Sequence, residues 1–300
     1  MILPKEHGSW SLALEPLALG LLAAPSRPGG ALAVAALAGF FLRRPLKLVS
    51  GGRPDSRRTL VFGCVIVLAT FAIASLLLAV KIGGAGDLWP LIPAALAGIA
   101  FAWFDSRNEA RDGAAELAGA IAFGILPAAF GTLAGWSVVE SLALAAVMLA
   151  RSVPTVLFVR TYMRRKKGSP ATPTPAFIAA GSAFLLTAWL VLLHVAPWPA
   201  AAFALLLAAR AFWLLGVHHP RFAAKTIGMV EMALGAAMVL AVATTWKNLR
   251  ASESHRYQSQ NSLTYVKSDF FTFVHTFSVI REDCSYEQRS FDTSEIRPAG

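Results

Sequence analysis

Charged residues are scarce in this sequence. Asp, Glu, Lys and Arg make up 15% of its 300 residues, whereas 56% are hydrophobic. In a typical soluble domain about a quarter of the residues are charged, so this composition excludes an ordinary soluble domain. Long apolar runs separated by short basic connections instead predict an all-α fold, a polytopic bundle of transmembrane helices.

Cysteine and acidic residues are also few. The two cysteines, Cys64 and Cys284, have no metal-binding spacing and form no plausible disulfide pair. The net charge is +10, but the basic residues lie in the connections between apolar runs, where cytoplasmic retention and anionic lipid headgroups account for them. We therefore expect membrane lipid as a partner and no nucleic acid, and the sequence indicates no protein partner.

The apolar runs predict nine membrane spans. Their expected limits are 9–25, 29–44, 59–81, 88–104, 114–134, 137–159, 175–195, 198–217 and 226–246. Lys and Arg are concentrated in alternate connections, which predicts a multi-pass protein of the cell membrane with a cytoplasmic N-terminus. Gly131 and Gly135 predict a close helix contact in the fifth span. The helix bundle is expected over 1–247, followed by a poorly ordered polar tail over 248–300, where the composition changes.

Ionisable residues surround the start of the first span. Lys5, Glu6 and His7 precede it, and Glu15 lies inside it. In a helix, His7 and Glu15 share one face with Ser11, and the following Pro16 is expected to loosen the helix. Two interpretations stay open: these groups line a cavity with catalytic or binding roles, or they are headgroup anchors with Glu15 in a structural ion pair.

Three further charged residues lie within predicted spans. Arg151 requires an acid or an anion as a partner at membrane depth. Arg210 and Glu231 likewise require a partner of opposite charge. Structural pairs of Glu15 with Arg151, or of Glu231 with Arg210, are one interpretation; an anion-binding site is the other. Asp105 and Asp112 are spaced so that they could bind Mg²⁺ through phosphate oxygens, but no motif fixes their geometry, so no metal site is predicted.

Two family resemblances are carried by short motifs. The segment Pro4-Lys5-Glu6-His7-Gly8-Ser9-Trp10, with Arg151-Ser152-Val153-Pro154, resembles the YwiC-like family of bacterial integral membrane proteins over residues 1 to about 247. That family lends no settled activity. Arg44-Pro45-Leu46 and Glu116-Leu117-Ala118-Gly119 are similar to segments of the UbiA superfamily of membrane prenyltransferases.

The UbiA resemblance implies a UbiA-like helix arrangement and, for any enzyme, a prenyltransferase-like transferase. The Asp-rich motifs that hold Mg²⁺ in that family are missing, so its diphosphate clamp cannot be built, and no cofactor is indicated. We therefore expect a cavity that binds an anionic amphiphile, an isoprenoid phosphate or a lipid, with His7 or Glu15 as the acid–base group if turnover occurs. The substrate-binding residues would be Lys5, Glu6, Arg43, Arg44, Lys47, Arg151 and Arg160. A small-molecule transporter and a non-catalytic membrane scaffold are the alternatives.

Overall fold

The structure is a computed structural model that describes residues 7–50, 58–107, 112–217 and 222–252. Within these ranges the chain forms nine α-helices and no strand. The helices are α1 (His7–Ala23), α2 (Arg27–Ser50), α3 (Arg58–Gly83), α4 (Leu91–Ser106), α5 (Gly113–Leu133), α6 (Val138–Lys166), α7 (Thr174–Leu192), α8 (Trp198–Phe212) and α9 (Ala224–Ser252). A 3₁₀ turn, Gly86–Leu88, precedes α4, and a π-helical turn, Trp213–Val217, continues α8.

The predicted polytopic membrane bundle is confirmed. Six helices are long and apolar enough to cross a bilayer. They are Thr59–Gly83, Gly113–Leu133, Val138–Lys166, Thr174–Leu192, Trp198–Gly216 and Ala224–Ser252. The most apolar window of α3 has 0% of its residues buried, so its Leu, Ile and Phe side chains face outward, as expected of a helix in contact with lipid.

Two helices continue through a proline, and both differ there from the sequence-based expectation. Helix α2 continues through Pro45 to Ser50, so Arg43 and Lys47 lie in a helix and not in a connection. Helix α1 continues through Pro16, so the expectation of a loosened helix at this position is not met. A proline removes one backbone hydrogen bond, but Pro16 is fully buried and the helix continues on both sides of it.

Helices α5 and α6 form the centre of the described bundle. Every residue from Leu126 to Leu133 is buried. Gly131 allows the two helices to approach closely, because an added Cβ would lie 3.1 Å from the Cα of Ser141. The second glycine of the predicted pair is different: Gly135 lies beyond the end of α5, with a φ of +75° and open space around it. Its role is to turn the chain into α6, and the prediction that it packs between helices is wrong.

The chain divides into two compact units, Met1–Lys247 and Asn248–Gly300. The first unit holds the helix bundle. In the second, the described residues end at Ser252, where α9 ends. The tail predicted over 248–300 therefore lies almost entirely outside the described residues and stays a prediction.

Candidate functional site: a buried charge network

Arg151 is the most deeply buried charged residue of the site. It lies near the middle of α6, and its side chain is 2% exposed. Its Nη1 donates to the Thr155 hydroxyl one turn further along α6 and to Glu231 Oε2 at 3.2 Å, and its Nη2 donates to the Glu231 backbone carbonyl at 2.7 Å. Glu231 lies on α9, so this arginine joins two helices that are far apart in the sequence.

Glu231 also accepts from a second arginine. Arg210, on α8, donates from Nη1 to Oε1 of Glu231, while Arg151 takes the other carboxylate oxygen. The Arg210 guanidinium lies over the Phe158 ring of α6, with 4.2 Å between Cζ and the ring centroid. A cation on an aromatic face is stabilised further when water is excluded. One carboxylate thus binds guanidinium groups from two helices.

Glu15 completes the group from α1. Its Oε2 lies 3.6 Å from Arg151 Nε, and its Oε1 accepts a hydrogen bond from the Ser11 hydroxyl. The carboxylate fits against α9 only because residue 235 is glycine: a Cβ there would collide with Glu15 Oε1. We call Glu15, Arg151, Arg210 and Glu231 the buried charge network. It holds two acids and two guanidinium groups, contributed by four helices.

The network leaves two hydrogen-bond donors unused. Among the described residues, Arg151 Nε and Arg210 Nε are buried and have no hydrogen-bond partner. A buried polar group without a partner carries a free-energy cost. Both donors belong to guanidinium groups, which bind phosphate and carboxylate oxygens well because their N–H groups form a planar fork.

A small recess adjoins the network. It contains no space wide enough for a water molecule, and it is lined by Arg151, Thr187 and apolar residues of α6, α8 and α9. The apolar lining is Val147, Ala150, Ala200, Ala204, Leu207 and Met238. The recess therefore presents one guanidinium and one hydroxyl residue in otherwise apolar surroundings.

Other predicted site residues form a second kind of group, which we call the peripheral ion pairs. Arg43 and Lys47 of α2 both hold Asp105 at the end of α4, with 2.9 Å from Arg43 Nε to Oδ2 and 2.9 Å from Lys47 Nζ to Oδ1. Arg160 of α6 contacts Asp112 at 3.3 Å and Glu116 at 3.2 Å, at the start of α5. These cations already bind carboxylates of the chain itself.

Comparison with known proteins gives a family for the first part of the chain. Residues 3–129 match the YwiC-like protein family. The resemblance based on the N-terminal motif is thereby confirmed for these residues. No curated protein and no solved structure matches the chain, so the fainter UbiA resemblance stays a prediction.

The YwiC-like match covers Glu15, the Arg43 and Lys47 pairs and most of α5, and it ends before Arg151. The structure brings Glu15 and Arg151 together, whereas Arg43 with Lys47, and Arg160, contact other carboxylates. Arg44 lies in α2. Lys5 and Glu6 lie outside the described residues, and so does the side chain of His7, the first residue of α1.

Both structural pairs considered from the sequence are present, and they are joined. Sequence analysis did not identify Thr155, Phe158 or Gly235 as parts of the site. Thr155 follows Arg151 by one helical turn and so was identifiable in principle; the contacts of Phe158 and Gly235 depend on helix rotation. Asp105 and Asp112 contact cations, and the described ranges contain no group of three residues suited to a metal ion.

Proposed function

We propose that this membrane protein binds the anionic headgroup of an amphiphile, an isoprenoid phosphate or a lipid, at the guanidinium groups of Arg151 and Arg210. One observation carries the proposal: within the described residues, the Nε donors of both arginines are buried and make no hydrogen bond, Arg151 Nε having only an ion-pair contact with Glu15 at 3.6 Å. A phosphate oxygen would satisfy such a donor with a charge-assisted hydrogen bond.

The site's surroundings favour an amphiphile over a soluble anion. The recess beside Arg151 is otherwise lined by alanine, valine, leucine and methionine side chains, with Thr187, and the helices around it are long apolar spans. Arg43, Lys47 and Arg160 are less suited to bind the anionic headgroup, because each already contacts a carboxylate. They could add a further contact with the headgroup once it is bound at Arg151 and Arg210.

Binding by the purified protein in detergent tests the proposal. Calorimetric titration with farnesyl phosphate should give saturable binding, whereas farnesol, which has the same chain and no charge, should bind much more weakly. Arg210→Lys keeps the charge and loses the planar fork, and we expect at least about tenfold weaker binding, the value of one charge-assisted hydrogen bond. Equal affinity for farnesol would contradict the proposal.

A matched control distinguishes the loss of the buried guanidinium from a general effect of replacing an arginine. Arg164 is an exposed arginine further along α6, and Arg164→Lys should bind farnesyl phosphate as the unmodified protein does. If both variants lose affinity equally, binding depends on surface charge and not on the buried guanidinium. Incubation with a labelled prenyl diphosphate and acceptor tests in the same preparation for a prenyltransferase-like activity.

Transport of a small molecule is the second candidate, and the meeting of charged groups from four helices inside the bundle favours it. A site that holds a drug-sized ligand occupies about 300–1,000 Å³, whereas the recess beside Arg151 is too narrow to admit even a water molecule. Entry of a larger ligand thus requires separation of α6, α8 and α9, which is the kind of motion that transporters use. Uptake of an organic anion into proteoliposomes, lost in Glu15→Gln, would support transport; a scaffold would show neither uptake nor binding.

We also propose a cell-membrane location with the N-terminus in the cytoplasm. Lys and Arg residues cluster in the connections after α2, α6 and α8 and at the ends of the helices beside them, which supports this orientation. In a cysteine-free background, Ser169→Cys between α6 and α7 should resist a membrane-impermeant maleimide in intact cells and react after lysis. Labelling of this cysteine in intact cells would contradict the proposed orientation.

A further inference from the structure

We propose that Glu15 takes up a proton when an anion binds at Arg151 and Arg210. This inference rests on the proposed function and adds to it a coupling between anion binding and protonation. The reason begins with charge balance: the network holds two carboxylates and two guanidinium groups. An arriving anion would leave one uncompensated negative charge in apolar surroundings, which is unfavourable unless another group changes its charge.

The two acids of the network differ in how firmly they are held. Glu231 contacts both arginines through its two carboxylate oxygens, and its backbone carbonyl accepts a third hydrogen bond. Glu15 contacts one arginine, at 3.6 Å. Protonation of Glu15 therefore sacrifices the weaker ion pair and leaves the contacts of Glu231 intact.

Protonation of Glu15 also prepares the site for the anion. The partner of its Oε2 is Arg151 Nε, which is one of the two donors without a hydrogen bond among the described residues. A neutral Glu15 no longer attracts this guanidinium, so Arg151 Nε becomes available to an anionic oxygen. The two events are thus linked through one atom.

A proton on Glu15 would have a hydrogen-bond partner close to the start of α1. The Ser11 hydroxyl contacts Glu15 Oε1 and can accept a hydrogen bond as well as donate one. Ser11 is partly exposed and lies one turn nearer the start of α1. The proton moves from solvent to the Glu15 carboxylate, and no other bond changes.

The charged group that faces Glu15 is Arg151 of α6, with Glu231 of α9 and Arg210 of α8 behind it. Several charged residues on the other helices packed on α1 have partners of their own. Glu116 of α5 binds Arg160, and Arg43 and Lys47 of α2 bind Asp105. The described contacts thus give Glu15 one direct ionic partner to lose.

The test measures proton uptake on binding of methyl farnesyl phosphate, a diester whose single charge does not change near neutral pH. Titration calorimetry in two buffers of different ionisation enthalpy should give about one proton taken up per anion at pH 8, and affinity should fall about tenfold per pH unit in this range. Glu15→Gln should bind with no proton uptake and with an affinity independent of pH. Glu140→Gln at the start of α6, where glutamine preserves the capping contact, is the control and should behave as the unmodified protein.

The outcomes separate the two proposals. If the unmodified protein binds the diester without proton uptake, anion binding stands and the coupling is wrong. If Glu15→Gln retains the same uptake, the proton goes elsewhere and the assignment to Glu15 is wrong. If neither protein binds at any pH although both are folded, the proposed function itself fails.

Discussion

The buried charge network and the peripheral ion pairs use the same chemistry in different surroundings. In the network, the side chains of Arg151 and Glu231 are 2% and 7% exposed, whereas those of Arg43 and Lys47, which hold Asp105, are 40% and 45% exposed. The Asp105 side chain is only 11% exposed, but water reaches Arg43 and Lys47, screens their charges and can replace a lost partner. It cannot do so at Arg151, so every loss or gain of charge there must be compensated by another protein group or by a ligand.

This difference shows where function is best sought in an apolar bundle. Exposed basic residues are typical of any cytoplasmic connection, and their number gives little indication of a site. Charges that four helices bring together within the membrane-spanning body are costly to maintain, and the network retains unused donors as well.

Glu231→Gln should give the largest effect, because it removes the carboxylate that both arginines share. Truncating one partner of a buried pair costs about 3–5 kcal/mol, and here two guanidinium groups would be left with Glu15 alone. The free energy of unfolding in mixed micelles measures the loss. A loss no larger than that of Asp105→Asn would remove the distinction between the two regions.

Gly235→Ala should come next, because its added Cβ would occupy the position of the Glu15 carboxylate. Overpacking typically costs about 1–3 kcal/mol, and displaced Glu15 would also lose Arg151. Gly228→Ala is the matched control in the same helix, since nothing lies within 4 Å of its added Cβ. Thermal melting in detergent should show a lower midpoint for the first variant only; equal midpoints would contradict the close packing of α1 on α9.

Asp105→Asn should have a moderate effect that depends on salt. The carboxylate binds both Arg43 and Lys47, but its partners are exposed, and such pairs contribute about 0.2–1 kcal/mol. The difference in melting temperature from the unmodified protein should shrink as salt is raised. A large loss of stability that does not depend on salt would show that Asp105 behaves energetically like a member of the buried charge network.

Arg160→Gln should have the smallest effect. Its partners Asp112 and Glu116 are 57% and 38% exposed, so water can replace the lost contacts, and the change in unfolding free energy should lie within about 0.5 kcal/mol. A larger loss, measured by the same micelle titration, would show that the start of α5 depends on this arginine.

The sequence was sufficient to predict the helices but not their rotation. Hydropathy alone located the nine helices of the described ranges, six of which are long and apolar enough to cross a bilayer. A helix that is apolar on every side does not indicate which face is buried. For this reason the contacts of Gly235 with Glu15, and of Phe158 with Arg210, were not predictable.

The two ion pairs of the candidate site were predictable from the sequence, but their connection through Glu231 was not. A charged residue within a span requires a partner, which led to Glu15 with Arg151 and Glu231 with Arg210. That Glu231 serves both arginines depends on the packing of α6, α8 and α9. Arg43 and Lys47 were assigned to an anion because their partner, Asp105, lies far away in the sequence and was expected in a turn.

A double-mutant cycle between Glu15 and Arg210 tests most directly whether the four buried charges act as one unit. These residues are connected through Arg151 and Glu231. Glu15→Gln leaves an excess positive charge and Arg210→Gln an excess negative charge, whereas the double variant is neutral again. We predict that the double variant loses at least about 1 kcal/mol less unfolding free energy than the sum of the single losses. Additivity within about 0.5 kcal/mol would contradict a single buried charge network.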